Sequence, residues 1–466
     1  MTKKIQLLSI SEKELEACLK CSICTVYCPV SGVTTRYPGP KQAGPDGERY
    51  RMKDPRYYDD KALKMCLNCK RCEVACPQGV QIGDIIQSAR IRYAPYARSW
   101  RPFPFLRETL LCNTDFVGTM ATHMAPLVNG LLAMPLFKTV FAHGIMAIDK
   151  RRTMPKYASQ TFYKWYQKNC SEEQRRYPHQ VGFFHGCYVN YNYPQLGKEL
   201  VKVMNAIGYG VQLLEGEKCC GVAKITNSMP REARRQGVAN MAAMRRATAQ
   251  GMDIIATGST CTFTMREEYD HLLHINNDVA RKHLSLATRY IFRLVENGNV
   301  KLAFRKDYRR RLAYHTACHM ERLGWAIYST ELIKMIPGVD LVILDSQCCG
   351  IGGTYGFKVE NYGISQKIGT SLFRQIEDAH ADYVVCDCET CKMQIEMSTQ
   401  ARVMHPISIL AEAIDVGDTQ AEWLGVNIAM KPITHKTNKT QYGQSKAGVK
   451  QRHTDPRPGD RKPGAR

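Results

Sequence analysis

The sequence predicts a multidomain protein, with a small α-helical module first, a tandem α/β repeat with parallel sheets second, and a disordered basic C-terminal tail last. Three observations lead to this fold class. One cysteine motif occurs twice before residue 80, apolar runs alternate with helical patterns in two copies between residues 180 and 415, and basic residues crowd the final segment. We place the domain boundaries at residues 1–95, 96–175, 180–300, 308–415 and 417–466.

Two copies of the spacing C-x2-C-x2-C-x3-C-P define the first domain. They consist of Cys18, Cys21, Cys24 and Cys28 before Pro29, and of Cys66, Cys69, Cys72 and Cys76 before Pro77. In bacterial two-cluster ferredoxins this spacing holds two [4Fe–4S] clusters, and the fourth cysteine of each motif binds the other cluster. We therefore predict an α-helical two-cluster ferredoxin module. Its predicted ligands are Cys18, Cys21, Cys24 and Cys76 for cluster I, and Cys28, Cys66, Cys69 and Cys72 for cluster II.

Zinc and disulfides are the alternatives for these cysteines, and both fit less well. Structural zinc usually takes two separated pairs of cysteine or histidine ligands. After the basic start at residues 1–4 no apolar run precedes Glu12, so we expect no signal peptide. A chain with 20 cysteines and no export signal is expected on the cytoplasmic side, where thiols remain reduced.

Residues 96–175 differ in composition and are predicted to associate with a membrane or a partner. Basic and aromatic residues interleave from Arg92 to Arg107, and Lys138 is the only lysine, arginine or carboxylate between Phe116 and Ile148. Proline, glycine and asparagine interrupt this stretch, which disfavours a bilayer-spanning helix. We predict a pair of interfacial amphipathic helices. A hydrophobic surface buried against a partner protein is the alternative.

The net charge of +22 restricts the partners. Residues 431–466 alone carry ten lysines and arginines against two aspartates. Nucleic acid and an anionic membrane surface both attract such charge. Because carriers with these redox motifs commonly deliver electrons to a lipid-soluble quinone, we expect the membrane and no nucleic acid.

A cysteine-bearing unit occurs twice between residues 180 and 415. In each copy an apolar run ends at a cysteine, a second leads to Cys-Cys-Gly, and a third ends at another cysteine. The pair follows the first cysteine by 32 residues in one copy and by 30 in the other. Helical patterns separate the runs, so we expect parallel sheets with the cysteines beyond the carboxyl ends of their strands. The candidate metal ligands are Cys187, Cys219, Cys220 and Cys261 in the first copy, and Cys318, Cys348, Cys349, Cys388 and Cys391 in the second.

Other features are weaker signals. Gly221 and Gly350 are expected to permit tight turns beside a bulky metal centre. His185, His315 and His319 adjoin cysteines and are expected to be structural rather than ligands. No G-x-G-x-x-G follows a strand, which argues against a flavin or nicotinamide site on this chain.

These motifs resemble known families. The paired Cys-Cys-Gly domains are similar to the CCG domains of the heterodisulfide reductase B subunit, of glycolate oxidase iron–sulfur subunits and of lactate-utilisation proteins. Residues 37–49, 184–192 and 345–350 resemble the C-subunit family of anaerobic glycerol-3-phosphate dehydrogenase, and the resemblance covers roughly residues 15–415.

The resemblance implies a role. In that family a flavoprotein pair, subunits A and B, oxidises sn-glycerol 3-phosphate to dihydroxyacetone phosphate in anaerobic glycerol catabolism. The C subunit, which is not catalytic alone, carries the electrons to menaquinone and anchors the complex peripherally at the cytoplasmic face of the bacterial inner membrane. The alternative is the CCG iron–sulfur subunit of another quinone- or disulfide-linked oxidoreductase, of the heterodisulfide reductase, glycolate oxidase or lactate oxidase type.

The resemblance also implies cofactors. CCG domains of relatives hold a noncubane [4Fe–4S] cluster or zinc. The first copy has Thr264 at the position where the second copy has Cys391, and so supplies four thiolates rather than five. We expect the second copy to be the better iron site and the first copy to hold zinc or no metal.

Overall fold

The computed structural model describes residues 15–93 and 102–421. In chain order these residues form a helical module, a layer of apolar helices and two α/β repeats with parallel sheets, which confirms the predicted fold class. Nearly all of the predicted basic tail lies outside the described residues.

The N-terminal module consists of short helices around the cysteine loops. A polar side chain begins one of them, because Asp59 accepts hydrogen bonds from the backbone N–H groups of Lys61 and Ala62. The core is formed by Leu63, Ile82 and Ile86 together with cysteines of the motifs. The helices are Ile23–Val26, Gly47–Lys53, Asp60–Lys64, Arg71–Val74 and Ile82–Tyr93, with a π-helical turn at Gln42–Asp46 and a 3-10 turn at Pro55–Tyr57.

A layer of short helices follows, at Pro102–Cys112, Thr114–His123, Ala125–Ala133, Pro135–Phe137 and Lys138–Ile145. We call the last four the apolar helices. Within the described ranges no single helix is long and apolar enough to cross a membrane. One pair of helices is long and apolar enough when the two are taken together, by length and composition. The pair consists of Ala125–Ala133 and Pro135–Ile145, which meet at a bend of 72°.

Three of the arginines that flank this layer have partners within the protein. Arg107 makes two hydrogen bonds, of 2.9 and 3.1 Å, to the Glu360 carboxylate. Arg92 binds Glu48 at 2.7 Å, and Arg152 is buried against Ser365 at 2.9 Å. The sequence could not reveal these partners, because most of them lie far away along the chain.

Each α/β repeat has a four-stranded parallel sheet, and the strand order is the same in both. The strands are β1 His179–Phe184, β2 Tyr209–Leu213, β3 Asp253–Ala256, β4 Leu284–Leu286, β5 Val300–Lys301, β6 Arg310–Tyr314, β7 Val339–Ile343, β8 Tyr383–Val385, β9 Val403–Met404 and β10 Gln420–Ala421. The first sheet runs β2-β1-β3-β4 and the second β7-β6-β8-β9. A two-stranded antiparallel ribbon pairs β5 with β10.

Helices cover the two sheets and connect their strands. In front of β1 lie Phe162–Asn169 and Ser171–Gln174. The first repeat contains Tyr188–Asn192, Pro194–Ala206, Val222–Thr226, Pro230–Ala249, Ser259–Phe263, Thr264–Glu268, Tyr269–Leu273, Asp278–His283 and Ala287–Glu296. The second repeat contains Cys318–Leu323, Ala326–Lys334, Tyr355–Phe357, Val359–Ala379, Glu389–Ser398 and Pro406–Ala413.

The predicted start of the disordered tail at residue 417 is wrong by several residues. The Asp415 carboxylate accepts hydrogen bonds from the backbone N–H groups of Gly417 and Asp418, and this turn leads into β10. Gln420 then lies opposite Lys301 in the antiparallel ribbon.

Candidate metal centres

The four cysteines predicted to bind cluster I line one cavity at the surface of the module. Cys18, Cys21 and Cys24 come from the first motif and Cys76 from the second. Lys20 and Ser22, the residues on either side of Cys21, adopt left-handed backbone conformations with φ of 58° and 65°. This conformation is uncommon for residues other than glycine, and here it wraps the loop around the thiols.

The second motif repeats this arrangement in the interior. Cys28 from the first motif joins Cys66, Cys69 and Cys72 around a second cavity. Asn68 and Lys70, on either side of Cys69, have φ of 57° and 62°. The two loops therefore share one backbone geometry. In both of them the structure brings together three cysteines of one motif and the last cysteine of the other.

The chemistry of both cavities fits iron–sulfur clusters. Burial raises the pKa of Cys69 to about 12, so binding of a metal must displace its proton. The backbone N–H groups of Asn68 and Val80 donate to the sulfurs of Cys66 and Cys76, each at 3.4 Å. Hydrogen bonds of this kind to sulfur tune the potential of a bound cluster. The buried Tyr37 hydroxyl, on the second cavity, has no partner among the described protein groups.

A buried charge network joins the second cavity to the first α/β repeat. Lys70 pairs with Asp84, with Glu73 at 3.5 Å and with Glu268 of the repeat, also at 3.5 Å. Burial alone would lower the pKa of Lys70, but the three carboxylates raise it well above its usual value. The ammonium group therefore remains charged beside the cysteines.

In the second repeat five cysteines lie beyond the carboxyl ends of the strands, as the sequence predicts. The Cys349 thiol donates to the Cys391 sulfur at 3.3 Å. The Gly350 N–H donates to the Cys348 sulfur at 3.4 Å, and Gly350 has a φ of 86°, the tight turn expected of this glycine. A hydrogen bond from Cys391 lowers the pKa of Cys388 to about 6.

His315 differs from the other candidate histidines. It is 1% exposed, and its ring lies close enough to the Cys349 sulfur to act with Cys348 and Cys391 in holding the pKa of that thiol below its usual value. His185 bonds to the Glu217 carboxylate at 2.9 Å, and His319 contacts Thr260 at 3.1 Å. His315 therefore has a cysteine sulfur as its neighbour, whereas the other two have oxygen partners.

The four cysteines of the first repeat converge in the same way. Hydrogen bonds from Cys187 and Cys220 hold the pKa of Cys219 well below its usual value. The Cys219 backbone N–H donates to the Asp115 carboxylate at 3.1 Å, which ties the apolar helix Thr114–His123 to this cysteine set. Thr264 faces away, because its hydroxyl donates to Glu268 at 2.8 Å.

The two CCG cysteine sets share a single cavity, a feature that the sequence did not predict. The backbone N–H of Ser259 in the first repeat donates to the Asp387 carbonyl of the second at 3.0 Å, so the two strand ends face each other. The cavity has a volume of about 430 Å³, and all nine cysteines of the two sets line it, together with Cys69. Among the described residues no three cysteine, histidine or carboxylate side chains are arranged to hold a single metal ion.

Comparisons with known proteins identify the same domains along the chain. Residues 14–80 match the 4Fe-4S dicluster domain family, and residues 181–266 and 312–396 match the cysteine-rich CCG domain family. The C subunit of the anaerobic glycerol-3-phosphate dehydrogenase of Escherichia coli (strain K12) is 52% identical over 406 residues, which is 87% of this chain and 100% of that protein. The chain belongs to the C-subunit family of anaerobic glycerol-3-phosphate dehydrogenase.

More distant relatives share part of this chain. Lactate utilization protein A of Geobacillus kaustophilus is 29% identical over 248 residues, 49% of this chain and 98% of that protein. The B subunit of the fumarate reductase (CoM/CoB) of Methanothermobacter marburgensis is 26% identical over 234 residues, 49% of this chain and 44% of that protein. The predicted iron–sulfur cofactors agree with these families. Which cysteine binds which cluster, and which metal the CCG sets hold, stay predictions.

Proposed function

We propose that this chain is the iron–sulfur electron-transfer subunit of a quinone-dependent glycerol-3-phosphate dehydrogenase. It is not catalytic alone. Electrons from flavoprotein subunits A and B enter at cluster I, pass through cluster II and leave to menaquinone through the CCG centre of the second repeat. The complex is attached peripherally to the cytoplasmic face of the bacterial inner membrane and serves anaerobic glycerol catabolism.

The observation that carries the proposal is the serial order of the cysteine sets. Cys21 is exposed, and Val26 and Tyr27 beside it form an apolar surface suited to a partner. The cluster II set lies deeper and adjoins the second CCG set, because Cys69 lines the same cavity as Cys318. The Arg71 guanidinium also donates to the Ser346 carbonyl at 2.8 Å across this contact.

The outward face of the apolar helices supports the membrane attachment. Large apolar side chains project into solvent along all of these helices, including Phe116 at 67% exposure and Leu136 at 70%. Monomeric soluble proteins rarely expose a contiguous patch of this kind. Since Arg92, Arg107 and Arg152 have internal partners, we expect the apolar face rather than a basic rim to provide the attachment.

The test uses the complex assembled with its flavoprotein partners under anaerobic conditions. Adding glycerol 3-phosphate should bleach the visible iron–sulfur absorbance, and a soluble menaquinone analogue should restore it. The Cys170→Ser variant is the control, because Cys170 lines none of the three cysteine cavities. Clusters that stay oxidised while the partner flavin is reduced would contradict the proposal.

A second candidate function is chemistry carried out at the CCG sets themselves, because both sets face one cavity. Such a site also suits the CCG iron–sulfur subunit of another quinone- or disulfide-linked oxidoreductase, of the heterodisulfide reductase, glycolate oxidase or lactate oxidase type. Two-electron reduction of a disulfide is the reaction that sets the disulfide-linked type apart. Presenting disulfides to the reduced complex separates the two functions. Reoxidation by a disulfide but not by the quinone analogue would favour the second.

A further inference from the structure

The cavity shared by the two CCG sets extends beyond the cysteines to the apolar helices. At one end it is lined by cysteines of both repeats, and at the other by Val117, Val128, Leu132, Phe137 and Phe141. The rings of Phe137 and Phe141 stack with their centroids 5.0 Å apart. The volume of about 430 Å³ includes the space beside the cysteines that a metal centre would take, and the part along the apolar helices is left for a further group. The candidate metal sites therefore border a pocket whose far wall is hydrophobic.

The helices that form this wall are apolar on both faces. Val117 and Leu132 line the cavity, whereas their neighbours Phe116 and Leu131 do not and are 67% and 38% exposed. If the outward face meets lipid, the layer that separates the bilayer from the cysteines is one helix thick. A lipophilic molecule could then reach the cavity without crossing an aqueous phase.

Polar anchors hold this wall in place. Asn129 and Tyr157 exchange two hydrogen bonds, of 2.8 and 2.9 Å, which fasten the helix Ala125–Ala133 to the segment after the apolar helices. The ring of Tyr191 packs so closely on Gly118 that a Cβ there would lie 2.5 Å from it. Both tyrosines line the cavity. The wall is thus a fixed part of the site and brings two tyrosines to it.

Charge indicates which molecule the cavity suits. Among the described residues that line it there is no lysine or arginine, and Glu389 is the only carboxylate. The lining histidine His185 is already paired with the Glu217 carboxylate at 2.9 Å. An anionic acceptor would therefore find no unpaired counter-charge in this lining, and burying an unpaired charge is costly. A neutral ring with an apolar tail meets the lining without that cost.

The geometry points to this cavity as the binding site for a lipophilic quinone, with its ring toward the CCG cysteines and its tail between the apolar helices. This inference rests on the proposed function. The bound quinone gains two electrons, which originate at the flavin of the partner proteins, and two protons from water, and it leaves as the quinol.

The test measures binding as well as turnover, in the assembled complex in detergent. Leu132→Trp fills the cavity, and Leu131→Trp places the same side chain on the outward face of the same helix. We expect Leu132→Trp to raise the Kd of a menaquinone analogue at least tenfold, which corresponds to about 1.4 kcal/mol of binding free energy. Leu131→Trp should leave the Kd unchanged. Dye-linked oxidation of glycerol 3-phosphate should be the same in both variants.

A second pair of variants and a labelling experiment show whether weaker binding reflects the site itself rather than misfolding of one variant. Val117→Trp and Phe116→Trp repeat the comparison on the preceding apolar helix. A photoreactive azidoquinone should label peptides within residues 110–157 in the unmodified complex. Equal binding in both members of both pairs, or labelling confined to other peptides, would overturn the site. Bound quinone that glycerol 3-phosphate fails to reduce would instead overturn the proposed function and leave the site standing.

Discussion

Replacement of Lys70 by methionine tests the charge network that joins the cluster module to the first α/β repeat. Breaking a buried ion pair by removing one partner costs about 3–5 kcal/mol. Glu73 would keep Arg322, at 3.2 Å, and Asp84 would keep His271, at 3.3 Å. Glu268 would keep only neutral partners, the Asn68 amide and the Thr264 hydroxyl. One carboxylate, that of Glu268, is therefore left without a cation. We expect the free energy of unfolding to fall by about 3 kcal/mol, the lower end of that range.

The assay is anaerobic urea unfolding of the purified protein, monitored through the visible absorbance of its clusters. The shift in the midpoint urea concentration is converted into a change in the free energy of unfolding with one m-value for all variants. Lys334→Met is the matched control, because Lys334 forms an exposed pair with Glu331 and should change stability by less than about 0.5 kcal/mol. Adding Glu268→Gln to Lys70→Met should recover part of the loss, since it neutralises the orphaned carboxylate. Equal midpoints for the two lysine variants, or a further loss in the double variant, would refute the reasoning.

Three further predictions concern the cofactors and the membrane. Cys28→Ser should abolish the EPR signal of cluster II and spare cluster I, and loss of the cluster I signal instead would contradict the crossed ligands. Cys349→Ala should abolish electron transfer from glycerol 3-phosphate to quinone and lower the iron content, whereas Cys220→Ala should mainly lower stability. Equal losses in iron and in quinone reduction would imply two equivalent CCG centres. Leu136→Glu should weaken binding of the complex to lipid vesicles at least tenfold, since burying a leucine contributes about 1.5–3 kcal/mol, and unchanged binding would argue against the apolar face.

Much of the fold followed from periodicity in the sequence. The strands β1, β2, β3, β6, β7 and β8 correspond to the six apolar runs that lead to cysteines in the two copies, because buried parallel strands are continuous apolar runs. The fourth strand of each sheet was missed. Leu284–Leu286 and Val403–Met404 are three and two residues long, too short to produce a pattern in the sequence.

The cysteine spacing predicted which cysteines meet, but not where the sets lie relative to one another. Spacing constrains contacts within a motif or a repeat. The contact between the repeats depends instead on distant groups, such as the His405 ring nitrogen 3.1 Å from the Thr257 carbonyl oxygen. The pairing of Arg107 could not be predicted for the same reason, because its partner Glu360 lies 253 residues away.

The structure gives a physical reason for the difference between the two CCG copies. The second set adjoins cluster II, and its fifth cysteine, Cys391, contacts Cys349 within the set. In the first copy the corresponding residue is Thr264, whose hydroxyl donates to Glu268. Glu268 in turn accepts from Asn68 in the cluster II loop at 2.6 Å. The first copy thus uses this position to fasten the repeat to the cluster module, which explains how one copy can have a smaller thiolate set while both repeats stay packed against the loop of the second cysteine motif.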